Sequence, residues 1–394
     1  MSCDSILPLM LEVKTNNKMI NIHFISFDYH TFGFIKKNKL LYKVINEIGD
    51  FICLGRKKNS IFFNIKKISK FNYRRLNFIP HLIRTIPFFI KVIYNLVFAN
   101  VIFIHFRALN LWPCKFLYFL NKSNTIFSNA DSSGWSEIGY KARRSMHTSL
   151  DNQFTGPAPC GKKVIAFSKL WPYLEHASLK SSQKYIIESS HTRKVWLDYL
   201  KNNAKDMIKT EHGISSENEY CSLVIGYIGM EKEPVNSFLR NKDSWSTLIE
   251  DILDIIHDEI PNIIILIKPH IITDMKLLNS ILDKRKHIKT EITHLHPALL
   301  AVDALFTISS HYTTAFQSVH YIGALTIEYT DQKDKYAKIL NYKGLRPEFT
   351  SHFFNNNEPG FRELLQKINN KKIIKNLNTG SIDDASGIIH HLSK

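Results

Sequence analysis

The sequence predicts an α/β protein made of two doubly wound domains that face each other across a cleft. Two observations lead to this. Apolar strand-like runs alternate with helical patterns along most of the chain, the mark of parallel sheets covered by helices. At 394 residues, the chain also exceeds what one core usually fills.

Taken in order, "MINIHFISF" (19–27) reads as a first buried strand and "KKNKLLYKVINEI" as the helix after it. The strands "DFICLG" and "SIFFNI" follow, then a long apolar helix over residues 79–99. The strand "NVIFIHF", the helix "LWPCKFLYFLN" and the strand "TIFSNAD" continue the alternation. Residues 145–218 carry Gly-Pro and Ser-Ser breaks and a helical "KVWLDYLKNNAKDMI", so they read as the end of the first domain and a connection.

From "CSLVIGYIG" onward the pattern is more regular. Strands "CSLVIGYIG", "NIIILIKPH", "HIKTEITH", "ALFTISS" and "ALTIEY" are separated by helical segments. The expected division is therefore 1–218 for a first domain with its connection, and 219–345 for a second doubly wound domain. Residues 346–394 are expected to form closing helices that pack back toward the first domain. Ligands of such sheets bind beyond the carboxyl ends of the strands, which places the cleft there.

Composition narrows the partners. Lys and Arg outnumber Asp and Glu by 52 to 35, a net charge of +17, which suits phosphorylated, acidic or membrane-bound partners. No long basic run or aromatic RNA-binding signature occurs, so nucleic acid is not expected. The five cysteines (Cys3, Cys53, Cys114, Cys160 and Cys221) form no C-x-x-C pair, which fits a reducing cytoplasm. The start of the chain lacks the pattern of a signal peptide. Residues 79–106 are too polar for a spanning helix, because Arg84, Pro87, Lys91 and Asn95 interrupt them. With Lys66, Lys67, Arg74 and Arg75 nearby, the 79–99 helix would rest on the inner face of a membrane.

Four stretches could carry chemistry. "NIIILIKPH" ends a buried strand in Lys268, Pro269 and His270; the proline stops the ladder, and the imidazole and ammonium can meet an anion. "TISSHYTTAFQS" sets Ser309, Ser310, Thr313 and Thr314 between a strand and a helix, where hydroxyls either seat a phosphate or simply cap the helix. "SNADSSGWSEIGYKARRS" ends a first-domain strand at Asp131, with Glu137 behind it; Asp131 is a candidate base or an ordinary turn residue. "IGYIGMEKEPVN" offers Gly226 and Gly229 for close approach of a ligand, and Glu231 beside it in a charged loop. No Asp-x-Asp occurs, so no metal is expected to hold the nucleotide.

Together these residues resemble bacterial glycosyltransferases of the GT-B type that use CMP-activated acidic sugars. The similar groups are the β-Kdo transferases of capsule and lipopolysaccharide assembly and, more distantly, sialyl- and polysialyltransferases. In those families an "HP" motif and a serine-rich "SS" motif hold CMP. Here Pro269-His270, in inverted order, and residues 309–314 would take those places. The glutamate expected after the serine motif falls at Gln317, and Glu231 stands where Asp is usual. The resemblance covers mainly residues 221–330, with "ADSSGW" its only counterpart in the first domain. It implies a GT-B-like pair of Rossmann-type domains and a transferase with a CMP-sugar donor and no cofactor. The acceptor would be a surface glycan or glycolipid. The alternatives are a CDP-glycerol-type phosphotransferase, a sugar-nucleotide epimerase, or a non-catalytic basic binding protein.

Overall fold

A computed structural model of the chain describes residues 2–26, most of 33–53, and five strands between residues 101 and 188. It also describes 194–371, except 215–217, 226–243, 271–272, 311–312, 314 and most of 332–348. The chain divides into two compact units. Met1–Lys37, Leu41–His191 and Asp383–Lys394 form the first, and Asn38–Leu40 with Thr192–Ile382 form the second.

The first unit opens with α1 (Ser2–Asn16), which buries Leu7, Met10 and Leu11. Strand β1 (His23–Ser26) then pairs in parallel with β2 (Asp50–Cys53), and α2 (Lys39–Ile48) makes the crossover. The apolar stripe Leu41, Val44, Ile45 and Ile48 buries one side of α2. Gly49 ends that helix, and a Cβ there would run into the carbonyl oxygen of Ile22, so the turn into β2 needs glycine.

A second sheet contains β3 (Val101–Ile104), β4 (Thr125–Asn129), β5 (Met146–Asp151), β6 (Lys163–Ala166) and β7 (Tyr185–Glu188). All neighbours are parallel and lie in chain order. Strands β5 to β7 come from the segment read as a connection. Their apolar runs, as in "KVIA" and "YIIE", are too short for periodicity to separate from loop. The expected strand "SIFFNI" and the 79–99 helix lie outside the described residues.

The main segment of the second unit opens with α3 (Lys194–His212), a helix that the sequence pattern alone places in the connection after the first domain. Six strands follow: β8 (Tyr220–Val224), β9 (Ile264–Lys268), β10 (Thr290–Ile292), β11 (Thr307–Ser309), β12 (Thr326–Thr330) and β13 (His352–Asn355). Their order in the sheet is β10-β9-β8-β11-β12-β13, all parallel. The chain thus winds outward from β8 to β10, returns to the other side of β8 as β11, and winds outward again. This is the doubly wound order, and the reversal between β8 and β11 parts the crossovers to leave a crevice at their carboxyl ends.

Between the strands run α4 (Ser244–Glu259), α5 (Met275–Lys284), the short α6 (Pro297–Leu300) and α7 (Ala315–Tyr321). The last described helix, α8 (Glu358–Asn369), follows β13. Alternation along the strands gives the sheet two unlike faces. One carries Cys221, Leu223, Ile265, Ile267, Ile308, Ile327 and Tyr329, and packs against α4, α5 and α8. The other carries Ser222, Thr307, Ser309, Thr326 and Glu328, all fully buried. On that side α6 meets β8, α3 and α7, and α7 meets β12. Tyr220 anchors α6 there by donating to the Leu300 carbonyl at 2.9 Å.

β13 adds a sixth strand to this sheet, and α8 buries Phe361, Leu364, Leu365 and Ile368 in the second unit's own core, while Asp383–Lys394 group with the first unit. Phe361 stacks obliquely on Tyr329 and Phe354, at 5.0 and 5.7 Å between ring centres. An apolar stripe on α8 has to be buried nearby, and the sheet face beside β13 offers the closest cover.

Among the described residues, no helix is long and apolar enough to cross a membrane.

Candidate functional site

The carboxyl edge of the second sheet is built by three strand exits. At β9 the last ladder bond is made by the Lys268 carbonyl, which accepts from the Ile225 N–H at 3.0 Å. Pro269 brings no N–H to continue it. His270 follows half-buried, and its carbonyl accepts from the Thr273 N–H at 2.9 Å, closing a turn. Asp274 then caps α5 by accepting from the N–H groups of Lys276 and Leu277. The Lys268 ammonium donates to the carbonyl of His294 at 2.9 Å, which ties the ends of β9 and β10 together. Burial, with Lys268 adding to it, lowers the pKa of His270 below its ordinary value of 6.5. At neutral pH this imidazole is therefore uncharged, with one N–H to donate.

At β11, Ser309 and Ser310 leave the sheet fully buried. Thr313 caps α7: its hydroxyl oxygen accepts from the Ala315 N–H at 3.3 Å, and its carbonyl accepts from Phe316. The capping role that competes with phosphate seating at this stretch is thus the one Thr313 performs.

Register aligns the exits. Lys268 pairs with Val224, Val224 with Ser309, and Ser309 with Glu328, so one row crosses the sheet from β9 to β12 at the crevice. In the row below, the hydroxyls have partners. Ser222 Oγ and Thr307 Oγ1 lie 2.8 Å apart, and Thr326 donates to the Phe349 carbonyl while accepting from the Ser351 N–H. Nearer the edge they do not: Ser310 Oγ and Thr330 Oγ1 are shut off from solvent and make no hydrogen bond, and Thr273 Oγ1 is in the same state. A buried hydroxyl without a protein partner costs about 1–3 kcal/mol unless a water molecule or a ligand supplies the missing donor or acceptor.

Of the residues singled out in the sequence, Lys268, His270, Ser309, Ser310 and Thr313 are brought to this one edge, on the strands flanking β8. Gly226, Gly229, Glu231, Thr314, Asp131 and Glu137 lie outside the described residues. Sequence reasoning missed Glu328, Thr330, Thr273 and His294. Glu328 had a signal: a glutamate inside the otherwise apolar strand "ALTIEY" must be buried or must flip the strand. The hydroxyls had none, since threonine is ordinary in strands.

A separate open groove of about 540 Å³ lies on α4, α5 and the turn after it, lined by Glu250, Asp254, His257, Asp258, Lys284, Arg285 and His287. Its central cation is already paired: Arg285 makes two bonds to Asp254, at 2.6 and 2.8 Å, and meets Glu250 at 3.5 Å. We read it as a solvated ion-pair face. Among the described residues, no cluster of His, Cys, Asp and Glu could hold a metal ion.

No family model and no curated protein matches the chain. Among solved structures, the chain is similar to the S. aureus MnaA–UDP co-structure, with a TM-score of 0.47 and 9% identity over 99% of this chain and 91% of that one. It is similar to the E. coli heptosyltransferase WaaC with ADP, with a TM-score of 0.40 and 8% identity over 93% and 97%. A glycosyl transferase of family 9 from Veillonella parvula gives a TM-score of 0.35 and 11% identity over 99% and 93%. At this level of likeness no substrate passes from those proteins to this chain. Its own strand order and carboxyl edge make it an α/β protein with parallel sheets in both units and a doubly wound sheet in the second.

Proposed function

We propose that the chain is a glycosyltransferase. It would move Kdo or a related acidic sugar from a CMP-sugar to a bacterial surface glycan or glycolipid, at the cytoplasmic face of the inner membrane. The observation that supports this most is the carboxyl edge around the switch point, which carries Lys268 and His270 at the end of β9 and, at the ends of β11 and β12, Ser310 and Thr330 buried without hydrogen-bond partners. An anion carrying hydroxyls answers both features, and a nucleotide is such a ligand.

Departure of CMP leaves negative charge on its phosphate. His270 would meet that charge with a hydrogen bond and take up a proton as it does so, and Lys268 would add a fixed cation. These groups stabilise the leaving group without a metal. The acceptor hydroxyl needs a base, and Asp131 is our choice for it, with Glu231 beside the donor sugar and Glu137 a further candidate.

Thermal unfolding in the presence of CMP, CDP and UDP tests the reading, because a ligand of the folded state raises the melting temperature. CMP should stabilise most. A preference for CDP would point to glycerol-phosphate transfer, and one for UDP to an epimerase or a different donor. His270→Ala should weaken CMP binding by roughly 1.5–3 kcal/mol, the value of a charge-assisted hydrogen bond. Unchanged affinity removes His270 from the site. Asp131→Asn should leave CMP binding intact and lower transfer by about 10²–10⁴.

A further inference from the structure

The carboxyl edge is charged unevenly, and this carries an inference that rests on the nucleotide reading above. Its basic side chains are on one side of the switch: Lys268, the one fixed cation, and the half-buried His270 end β9, and exposed His294 follows β10. Its acids are on the other: Glu328 is fully buried on β12, and Asp331 follows the end of that strand. Between and beside them stand the two hydroxyls without partners, Ser310 just past β11 and Thr330 at the end of β12. Thr330 lies two residues beyond Glu328, and so on the same face of the sheet.

In the ordinary dinucleotide-binding sheet, the acid that receives ribose hydroxyls follows the second strand. Here the second strand of the domain is β9, and it ends in Lys268-Pro269-His270. A phosphate is favoured at that end and a carboxylate of a ligand is disfavoured at the other. A pair of neutral vicinal hydroxyls has the opposite preference: it can donate to Glu328 and exchange hydrogen bonds with Thr330.

We propose that Glu328 and Thr330 form a subsite for the ribose hydroxyls of the nucleotide, which lies across the switch with its phosphate toward β9 and its ribose toward β12. Phosphate is thus read by β9, and sugar hydroxyls by β12.

Calorimetric titration of the full chain with CMP, 2′,3′-dideoxy-CMP and pyrophosphate tests this. The wild-type chain should bind the dideoxy compound about 10–100-fold more weakly than CMP, the loss expected when hydrogen bonds to buried groups are left unmade. Glu328→Gln and the near-isosteric Thr330→Val should each bring CMP toward the affinity of the dideoxy compound and leave pyrophosphate binding unchanged. The first comparison needs no variant, so a folding defect in Glu328→Gln cannot hide the answer. Equal wild-type affinity for CMP and its dideoxy analogue overturns the subsite, as does a Thr330→Val chain that keeps the full preference. A loss confined to CMP-sugar, with CMP and its analogue bound alike, would put the transferred sugar there and refute the ribose assignment. If pyrophosphate binds while the ribose preference is absent, only this inference falls; if the wild-type chain binds none of the three, the nucleotide reading falls with it.

Discussion

The two faces of the second unit's sheet are built from the same strands, yet they follow opposite rules. Against α4, α5 and α8 the sheet presents Leu223, Ile265, Ile267, Ile308, Ile327 and Tyr329, a surface held by burial alone. On the other side Ser222, Thr307, Thr326 and Ser309 are buried to the same degree, but every oxygen there must find a partner or carry a cost. The apolar face makes the domain stable. The polar face gives up some of that stability in return for a graded surface, paired in the interior at Ser222, Thr307 and Thr326 and left without a partner at Thr330, near the edge where a ligand would sit.

Truncation on the apolar face should give the largest effect. Phe361→Ala removes a fully buried ring from between Tyr329 and Phe354, and should destabilise by about 3–5 kcal/mol in urea unfolding. A loss below 1 kcal/mol would mean that α8 does not help hold this face.

The paired hydroxyls come next. Ser222→Ala or Thr307→Val alone leaves one buried oxygen unmatched and should cost about 1–3 kcal/mol, whereas the double variant should lie closer to wild type than the two losses added together. Simple additivity would show that the 2.8 Å pair is not a coupled unit.

Ser310→Ala should show the smallest and most telling change. It deletes a hydroxyl that already lacks a partner, so stability should hold or rise by up to about 1 kcal/mol while nucleotide affinity falls. If both fall together, Ser310 belongs with Ser222 and the contrast between interior and edge is lost.

Acid should act at both ends of this sheet, on His270 beyond the end of β9 and on His352 where β13 begins. His270 and His352 both have pKa values lowered below 6.5 by burial, with Lys268 adding to the first and Lys367 to the second. Each favours the neutral form when folded, so its stabilising contribution is intact above 6.5 and is lost as pH falls through the lowered value. Binding of an anion runs the other way. A cytidine phosphodiester, whose charge is constant over this range, should bind more tightly as pH drops, and His270→Ala should flatten that slope.

How legible this was depends on the kind of interaction. Strand β9 announces itself as a dense Ile and Leu run, and β8, β11 and β12 as short runs in which apolar residues alternate with Ser, Thr or Glu, because a strand covered on both faces must be apolar or bonded throughout. The exit at Lys268-Pro269-His270 was readable because proline and charge end a buried run for plain covalent reasons. β5, β6, β7 and β13 were not: β6 and β7 are only four residues long, and β5 and β13 bear Ser, Thr, His or Asn, so each looks like loop until a neighbour supplies the other half of the ladder. The same limit hid the site's second pole. Whether Thr330 or Thr307 has a partner is decided by residues far away in the chain, and no local pattern encodes it.

The doubly wound order also sets a timetable for folding. β8 can pair with β9 as soon as residue 268 is available, but its other edge waits for β11, at residues 307–309. Until then a growing chain carries a three-stranded half-sheet whose bare margin is "YCSLV", an apolar strand with open N–H and C=O groups. Such a margin invites pairing with a neighbouring chain, and synthesis at about 5–20 residues per second leaves it open for seconds. The strand order that creates the crevice therefore makes the synthesis of the sequence between β9 and β11 an interval in which this sheet is exposed to aggregation.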